Sequence, residues 1–238
     1  MRLVCVIPAR IGSTRLPGKP LRLLGGEPLI RRVVGRALTL GLDAPVVVAS
    51  DDPAVLAAVA DTAAVGVLTA PDLRSGTERV AAAMDDPAFP PADIVLNLQG
   101  DEPFLPPDAA AGAVRRVREG DDVGTAAQPL TPEAWRNPHR VKVEVDLRGH
   151  AQRFYRTPAA PACTHRAPTF QHVGVYAYRP AALRRWLTLP PTDAERDEAL
   201  EQLRPLAHGM RIGVAVLEGA VPHGIDTEDD LRLAEAML

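Results

Sequence analysis

A short apolar run near the N-terminus, followed at once by a basic loop that glycine and proline interrupt, constrains the fold of this chain most. Residues 3–7 are apolar and largely β-branched, which predicts a buried parallel strand that opens an α/β sheet. The loop then lies at the carboxyl end of a strand, where ligands bind in open α/β sheets. No acidic residue precedes Glu27, so the loop is expected to carry an uncompensated positive field from Arg10, Arg15, Lys19 and Arg22. A polyphosphate fits this field, because arginine offers paired planar donors and lysine a compact charge.

Two well-known phosphate-binding loops do not match this segment. Gly12 and Gly18 are one residue too far apart for G-x-x-x-x-G-K-[ST], and Pro20 stands where that motif has its hydroxyl residue. No G-x-G-x-x-G follows the strand, which disfavours a nicotinamide oxidoreductase, although Asp51 would supply the acid that such an enzyme has after its second strand. An irregular basic surface loop is the plain alternative to a phosphate site.

Strand and helix patterns alternate through the first half of the chain. Apolar residues recur at helical spacing over residues 29–38, and a second helix is predicted after the cap at residues 51–53. Further strands are predicted at residues 46–49, 65–68 and 94–98, and further helices after residues 74–79 and at 107–118. This alternation predicts a doubly wound, mostly parallel, Rossmann-like α/β sheet.

The second half shows a different pattern. Residues 140–147 and 151–156 alternate about a tight turn and predict an antiparallel hairpin, followed by a loop at 157–168. A strand at 171–179 is predicted to place His172, Gly174, Tyr176 and Tyr178 on one face; a half-buried edge strand with polar tips is the alternative. A helix at 197–204, a returning strand at 211–217 and a final helix complete the prediction. We expect one domain over residues 1–238, with an α/β frame at about 1–128 and 211–238 and a smaller subdomain at about 129–210.

Composition limits the classes of protein that the chain can represent. With 238 residues, of which 46% are hydrophobic, it can bury one sizeable core. The net charge of -3 and the 4% of aromatic residues give no reason to expect a nucleic-acid partner. Cys5 and Cys163 form no disulfide framework and are expected to be reduced, and no apolar stretch is long enough for a membrane span. We therefore expect a cytoplasmic enzyme or binding protein.

Three later polar segments are candidates for ligand binding. Ser75 or Thr77 is expected to cap a helix whose free N–H groups could accept an anion, and a plain cap explains the segment equally well. After the strand at 94–98, Gly100 is expected to turn the chain so that Asp101 emerges beside the first loop. A carboxylate near a triphosphate suits Mg²⁺, whereas a solvated turn aspartate is the alternative. The acids from Asp226 to Asp230 suit a helix start, but capping needs only one or two of them.

Eight segments, in order along the chain, are similar to those of one family: PARxGSTRLPGKPL, SGTER, NLQGDEP, VKVxxD, FxR, HVGVYAYR, LEQLR and GIDTxxDL. They resemble the CMP-sugar synthetases, in particular the 3-deoxy-manno-octulosonate cytidylyltransferases. The resemblance implies that the anomeric hydroxyl of an eight-carbon 2-keto acid sugar attacks the α-phosphate of CTP, so that pyrophosphate leaves. The product would be a precursor for lipopolysaccharide synthesis.

The resemblance also implies roles for particular residues. Asp101 and Asp226 would hold a Mg²⁺ ion, with a second Mg²⁺ on the triphosphate, and Arg10 and Lys19 would stabilise the phosphates. The nucleotide would be contacted by Ala9, Arg10, Ser13, Arg15, Lys19, Ser75, Gly76 and Thr77. The sugar would be contacted by Arg79, Gln99, Arg156, His172, Tyr176, Glu201 and Gln202. The smaller subdomain would bind the sugar and mediate a homodimer.

One departure from the family pattern leaves the identity of the sugar open. The family usually has Ser-Arg-Ala-Pro-Ile-Pro where this chain has Tyr155 to Pro161, although Arg156 is retained. An amino-octulosonate or another acidic sugar is therefore an alternative acceptor. Two rival functions also stay open: a nucleotidyltransferase for sugar 1-phosphates, which would need a further cation, and a non-catalytic nucleotide-binding protein.

Overall fold

The computed structural model of the protein describes residues 1–157, 167–222 and 224–238. Its strands are β1 (Leu3–Ala9), β2 (Leu23–Leu24), β3 (Glu27–Pro28), β4 (Val46–Ser50), β5 (Val65–Leu68), β6 (Ile94–Leu98), β7 (Val123–Gln128), β8 (Lys142–Val145), β9 (Ala151–Tyr155), β10 (Thr169–Tyr178) and β11 (Ile212–Val216). Its helices are α1 (Leu29–Leu38), α2 (Pro53–Ala57), α3 (Gly76–Met84), α4 (Pro107–Arg118), α5 (Pro132–Arg136), α6 (Pro180–Thr188), α7 (Asp193–Glu198), α8 (Leu203–Ala207) and α9 (Glu228–Glu235), with a 3₁₀ turn at Lys19–Leu21.

The first of two compact units comprises Met1–Pro107 and Pro222–Leu238. Its main strands lie side by side in the order β6-β1-β4-β5, and all neighbours are parallel. Every residue of β1, β4 and β6 is buried, as expected for a parallel sheet covered on both faces. The predicted strands are confirmed here, and β1 continues through Pro8 to Ala9 rather than ending at the proline.

The second unit comprises Asp108–Val221. Within it β11 runs parallel to β7, and β10 is antiparallel to both β7 and β8. The predicted hairpin is confirmed, because β8 and β9 pair antiparallel about the turn at residues 146–150. Together the units confirm an α/β fold with a mostly parallel sheet and a smaller antiparallel part.

One local prediction in the second unit was wrong. The expected helix at 197–204 is interrupted: α7 ends at Glu198, Ala199 adopts a left-handed φ of 50°, and α8 begins at Leu203. Leu200 and Leu203 are nevertheless buried as predicted. The predicted face of β10 is confirmed, because the half-buried residues His172, Gly174 and Tyr176 alternate with the buried residues Val173, Val175 and Ala177, although the register against β7 shifts between Val173 and Tyr176. A bulge of this kind leaves no clear trace in an alternating sequence.

Some predictions fall outside what the structure describes. Of the predicted loop at 157–168, residues 158–166 lie outside the described residues, and so does Cys163.

Cys5 is buried and free, and burial raises the pKa of its thiol to about 12. Within the described parts of the chain, no helix is both long and apolar enough to cross a membrane. The boundaries near residues 128 and 210, between the predicted α/β frame and the predicted smaller subdomain, stay a prediction.

Candidate active site

The carboxyl ends of β1 and β6 meet closely in the first unit because Gly100 follows β6. A Cβ atom at this position would lie 2.8 Å from the backbone oxygen of Pro8, so a side chain would force the two strand ends apart. The basic loop after β1 is fixed by its two buried residues, Leu16 and Pro20. Ser13 also holds the loop, since its hydroxyl accepts a hydrogen bond from the backbone N–H of Leu16 at 3.3 Å.

Lys19 is the centre of this site. Its Nζ lies 2.5 Å from Oδ2 of Asp101 and 3.0 Å from Oδ1 of Asp226. The two acids are brought together by the backbone, because the N–H of Ile225 donates to the carbonyl of Asp101 at 2.9 Å. Burial alone would lower the pKa of Lys19, but the two carboxylates more than offset this and raise it above its usual value. Two carboxylates distant in sequence therefore converge on one cation.

The expectation of an uncompensated positive loop was wrong. Arg15 pairs with Asp226 at 2.9 Å, Lys19 with the two acids, and Arg22 with Glu228 at the start of α9. The compensating acids come from residues 101 and 226–228, which the local sequence does not reveal. Arg10 is exposed and forms no ion pair with any residue that the structure describes. It is the loop cation most available to an incoming anion.

Asp51 connects the basic loop to α3, a role that sequence reasoning missed. One of its carboxylate oxygens accepts a hydrogen bond from the N–H of Ile11 at 3.2 Å, and the other lies 3.4 Å from the guanidinium of Arg79. Arg79 is buried and also donates to the hydroxyl of Thr69. Burial lowers its pKa, Asp51 counteracts this, and nearby Arg10 lowers it further. The structure thus places Arg79 beneath the loop.

The start of α3 lies at the same end of the sheet. Ser75 is the N-cap, accepting a hydrogen bond from the N–H of Glu78 at 3.1 Å, as the sequence predicted. A Cβ atom at Gly76 would lie 3.3 Å from the Pro8 ring and 3.5 Å from Oε1 of Gln99, so both neighbours lie close to the helix start. Thr77 is buried behind them. Ala9, the last residue of β1, is also buried.

Gln99 is held by a residue that the sequence analysis did not single out. Its amide nitrogen donates to Oδ1 of Asn97 at 3.0 Å, which directs its carbonyl oxygen towards Gly76. Asn97 is fully buried in β6, and its own amide nitrogen has no partner among the described residues. A buried asparagine within an otherwise apolar strand was the available signal.

In the second unit, Arg156 is anchored where α7 ends. Its Nε donates to the carbonyl of Glu198 at 2.9 Å, and its backbone N–H donates to the Glu198 carboxylate at 2.8 Å. A second guanidinium nitrogen lies 3.4 Å from the carbonyl of Ala199. These carbonyls are available because the helix stops, so the break in the predicted helix supplies the hydrogen-bond acceptors that hold the Arg156 guanidinium. Lys142, wholly buried, donates to the carbonyl of Arg156 at 2.6 Å.

The other predicted sugar residues of this unit form one cluster. The rings of His172 and Tyr176 have centroids 5.4 Å apart, and Phe154 meets His172 edge-on at 5.3 Å. Burial raises the pKa of the Tyr176 phenol, and the neighbouring Glu201 carboxylate raises it further. Gln202, which immediately precedes α8, is buried. Glu201 and Tyr176 are therefore close, as their predicted common role requires.

The predicted nucleotide and metal residues all belong to the first unit, together with Arg79 and Gln99. The remaining five predicted sugar residues belong to the second unit: Arg156, His172, Tyr176, Glu201 and Gln202. Asp51, Asn97 and Glu198 were missed, since their contacts link positions that the sequence shows only as separate segments.

Comparison with known proteins identifies the family of the chain. Residues 4–212 match the cytidylyltransferase family. The 3-deoxy-manno-octulosonate cytidylyltransferase of Gemmatimonas aurantiaca is 47% identical over 97% of this chain and 92% of its own length, and that of an Anaeromyxobacter species is 44% identical over 100% and 97%. A solved structure of CMP:2-keto-3-deoxy-manno-octonic acid synthetase complexed with CTP is 38% identical, with a TM-score of 0.90 over 100% of this chain and 98% of that one. This chain belongs to the cytidylyltransferase family.

Proposed function

We propose that this nucleotidyltransferase transfers the cytidylyl group of CTP to the anomeric hydroxyl of 3-deoxy-manno-octulosonate. The oxygen of that hydroxyl bonds to the α-phosphorus, the bond from the α-phosphorus to the bridging oxygen breaks, and pyrophosphate leaves. The observation that carries the proposal is the convergence of Asp101 and Asp226 on the Lys19 ammonium beside a basic loop. The product would serve lipopolysaccharide precursor synthesis.

The basic loop suits a reaction between two anions. Catalysis of such a transfer consists mainly of positioning and charge stabilisation, with little covalent work for the protein. Lys19 has three N–H donors, of which two are directed at carboxylates, so the third can bond a phosphate oxygen without breaking either contact. Arg10, exposed and without an ion-pair partner among the described residues, is free to follow the departing pyrophosphate.

The acid pair fits a magnesium ion. Oxygens of Asp101 and Asp226 already approach one cationic atom within 3.0 Å, and Mg²⁺ prefers one or two carboxylates together with phosphate oxygens and waters. Among the described residues, no group of three or more His, Cys, Asp or Glu side chains is arranged to enclose a metal without a substrate. When bound, Mg²⁺ would neutralise phosphate charge and lower the pKa of the attacking hydroxyl.

The sugar is assigned to polar groups held in fixed orientations. In the second unit these are Arg156, His172, Tyr176, Glu201 and Gln202, and in the first unit Arg79 and Gln99. Arg156 suits the sugar carboxylate, because its guanidinium is anchored by two carbonyls and keeps its charge. The neutral phenol and imidazole suit hydroxyl groups. A homodimer formed through the hairpin part of the second unit completes the proposal, and sedimentation velocity would test it.

An acceptor panel tests the proposed function. Pyrophosphate release would be measured with Mg²⁺ and CTP, alone and with 3-deoxy-manno-octulosonate, its amino analogue, a nonulosonate and glucose 1-phosphate. We expect release that requires the octulosonate and exceeds that with every other acceptor. Faster turnover with another acidic sugar would reassign the acceptor, and CTP binding without release in any arm would contradict a transferase. Substitution of Arg156 tests its proposed role in sugar binding, and Arg153→Lys, on the exposed part of β9, is the matched control for that variant.

A further inference from the structure

Thr125 is a buried residue of β7 that has no place in the roles assigned so far. Its hydroxyl oxygen lies 2.7 Å from the carbonyl of Val175 and 2.9 Å from Nε2 of His172. Another carbonyl, that of Val173, lies farther away at 3.5 Å. All four residues belong to the second unit. The hydroxyl therefore stands between a backbone acceptor and an imidazole nitrogen.

Counting protons in this group fixes the form of the imidazole. A threonine hydroxyl has a single hydrogen, and a carbonyl oxygen can only accept, so the hydrogen goes to Val175 at the shorter distance. The contact with His172 then requires that Nε2 carries a hydrogen and donates it to the hydroxyl oxygen. Burial lowers the pKa of His172 to about 3, so the ring is neutral near neutral pH and Nδ1 has a lone pair.

The sheet positions both partners of this contact. The bulge in β10 lets Val173 and Tyr176 face adjacent residues of β7, Ala126 and Thr125, so His172 and Tyr176 share the face on which Thr125 lies. The backbone N–H of His172 donates to the carbonyl of Val141 at 2.8 Å, and Phe154 and Tyr176 hold the ring from two sides. His172 keeps part of its surface exposed, and Nδ1 has no partner among the described residues.

We propose that Thr125 is a positioning residue that holds His172 as the Nε2–H tautomer, so that Nδ1 offers a neutral acceptor to a hydroxyl group of the sugar. The inference rests on the proposed function for the identity of the ligand. A lone pair accepts from a hydroxyl but repels a carboxylate or phosphate oxygen. His172 therefore selects a polyhydroxylated part of the acceptor, whereas Arg156 suits its carboxylate.

Two substitutions distinguish the effect of the Thr125 hydroxyl from the effect of the volume of its side chain. Thr125→Val keeps the shape and removes the hydroxyl, and Thr125→Ser keeps the hydroxyl. With Thr125→Val, the KM for the sugar is expected to rise about 5- to 10-fold, the consequence of losing one buried hydrogen bond, while the KM for CTP changes less than about 2-fold. Thr125→Ser should restore the sugar KM to within about 2-fold of wild type. Loss of structure alone would not affect one substrate and spare the other.

Heteronuclear NMR of the imidazole nitrogens gives a readout that needs no turnover. The His172 signals, assigned by their absence in His172→Gln, should show a protonated Nε2 and an unprotonated Nδ1 in wild type and Thr125→Ser. Thr125→Val should shift the tautomer balance. A protonated Nδ1 in wild type would overturn the inference whatever the enzyme's activity, and so would an unchanged sugar KM in Thr125→Val. Failure of every acidic sugar as a wild-type substrate would overturn the proposed function instead, and the tautomer result would still decide the role of Thr125.

Discussion

The chain contains two lysines among its 27 basic residues, one in each unit, and the two are held in opposite ways. Lys19 of the first unit lies between two carboxylates, at 2.5 and 3.0 Å. Lys142 of the second unit lies between two backbone carbonyls, those of Asn137 at 2.7 Å and Arg156 at 2.6 Å. The carboxylates raise the pKa of Lys19 despite its burial, whereas burial lowers that of Lys142, with further lowering from Arg156.

This difference separates a reactive site from a supporting one. Lys19 forms charge pairs at the rim of the basic loop. A divalent cation could replace Lys19 as the partner of the acids, and a triphosphate could replace the acids as the partner of Lys19. The contacts of Lys142 are with the backbone carbonyls at the end of α5 and just after β9, where the ammonium satisfies both carbonyls and positions the backbone of Arg156. We therefore expect Lys19 to matter for turnover and Lys142 for stability, and each of the following predictions tests that division.

The largest effect is expected from Lys19→Met. Turnover should fall about 100- to 1000-fold, because a preorganised cation at the phosphates is lost. The free energy of unfolding should fall less than in Lys142→Met, since the side chains of Asp101 and Asp226 are 22% and 37% exposed and can rehydrate once the ammonium is gone. Steady-state pyrophosphate release and urea unfolding check the two parts. A stable variant with near wild-type turnover would remove Lys19 from the site.

Lys142→Met should show the reverse pattern. The methionine leaves the part-buried carbonyl of Arg156 without a donor, whereas that of Asn137 keeps the N–H of Arg140 at 3.1 Å, and the expected cost is about 2 to 3 kcal/mol in the free energy of unfolding. Turnover at saturating sugar should fall less than in Lys19→Met. Urea unfolding of the two variants side by side measures the contrast. Equal losses of stability would show that the two lysines are not held as differently as the geometry indicates.

Arg156→Lys sharpens the comparison on the sugar side. Lysine keeps the charge but lacks the planar fork whose two separate nitrogens reach the Glu198 and Ala199 carbonyls, so the ammonium loses its fixed orientation. The KM for the sugar should rise about 10-fold, equivalent to roughly 1.4 kcal/mol, with little change in the KM for CTP. Initial rates against each substrate measure the split, with Arg153→Lys as the control. A matching rise for both substrates would contradict a role confined to the sugar.

The smallest effect concerns pH. The stabilisation from Lys19 is complete below the usual pKa of 10.5 and is lost as pH rises through its raised value, whereas stability should increase as pH rises from the lowered pKa of Lys142 to 10.5. Neither slope can exceed about 1.4 kcal/mol per pH unit. NMR of isotope-labelled lysine, assigned with Lys19→Met, resolves the two side chains in one titration. Lys19 titrating at a lower pH than Lys142 would contradict at least one of the two assignments of sign.

Much of the first unit could be predicted from the sequence. Its strands are short apolar runs bounded by turn residues, and its helix starts have recognisable caps such as Ser75 and Asp52. The second unit was harder, because β7 and α6 had not been predicted and the bulge in β10 interrupts no visible pattern. The carbonyls at the helix break bond Arg156, more than forty positions earlier in the chain, so no local propensity could indicate this contact.

The same limit applies to the site. Asp101, Asp226 and Lys19 could be named because each lies in a segment that resembles the family pattern, namely NLQGDEP, GIDTxxDL and PARxGSTRLPGKPL. Their convergence, and the neutralisation of the loop by Asp226 and Glu228, depend on tertiary contacts between distant segments. Thr125 and Asp51 support other residues through hydrogen bonds, and nothing in their immediate sequence marks such a role. For Asn97 the one signal is a polar residue within the apolar strand β6.

The most direct test of the central claim is sugar-dependent pyrophosphate release by Asp226→Asn, compared with wild type and with Asp229→Asn, in the presence of Mg²⁺ and CTP. Asp229 is an exposed acid in the first turn of α9, and the substitution Asp229→Asn removes the same charge without changing a contact of Lys19. The convergence of Asp101 and Asp226 predicts a fall of about 100- to 1000-fold in Asp226→Asn and none in Asp229→Asn. Equal rates in the two variants would contradict a catalytic site built on the Lys19, Asp101 and Asp226 cluster.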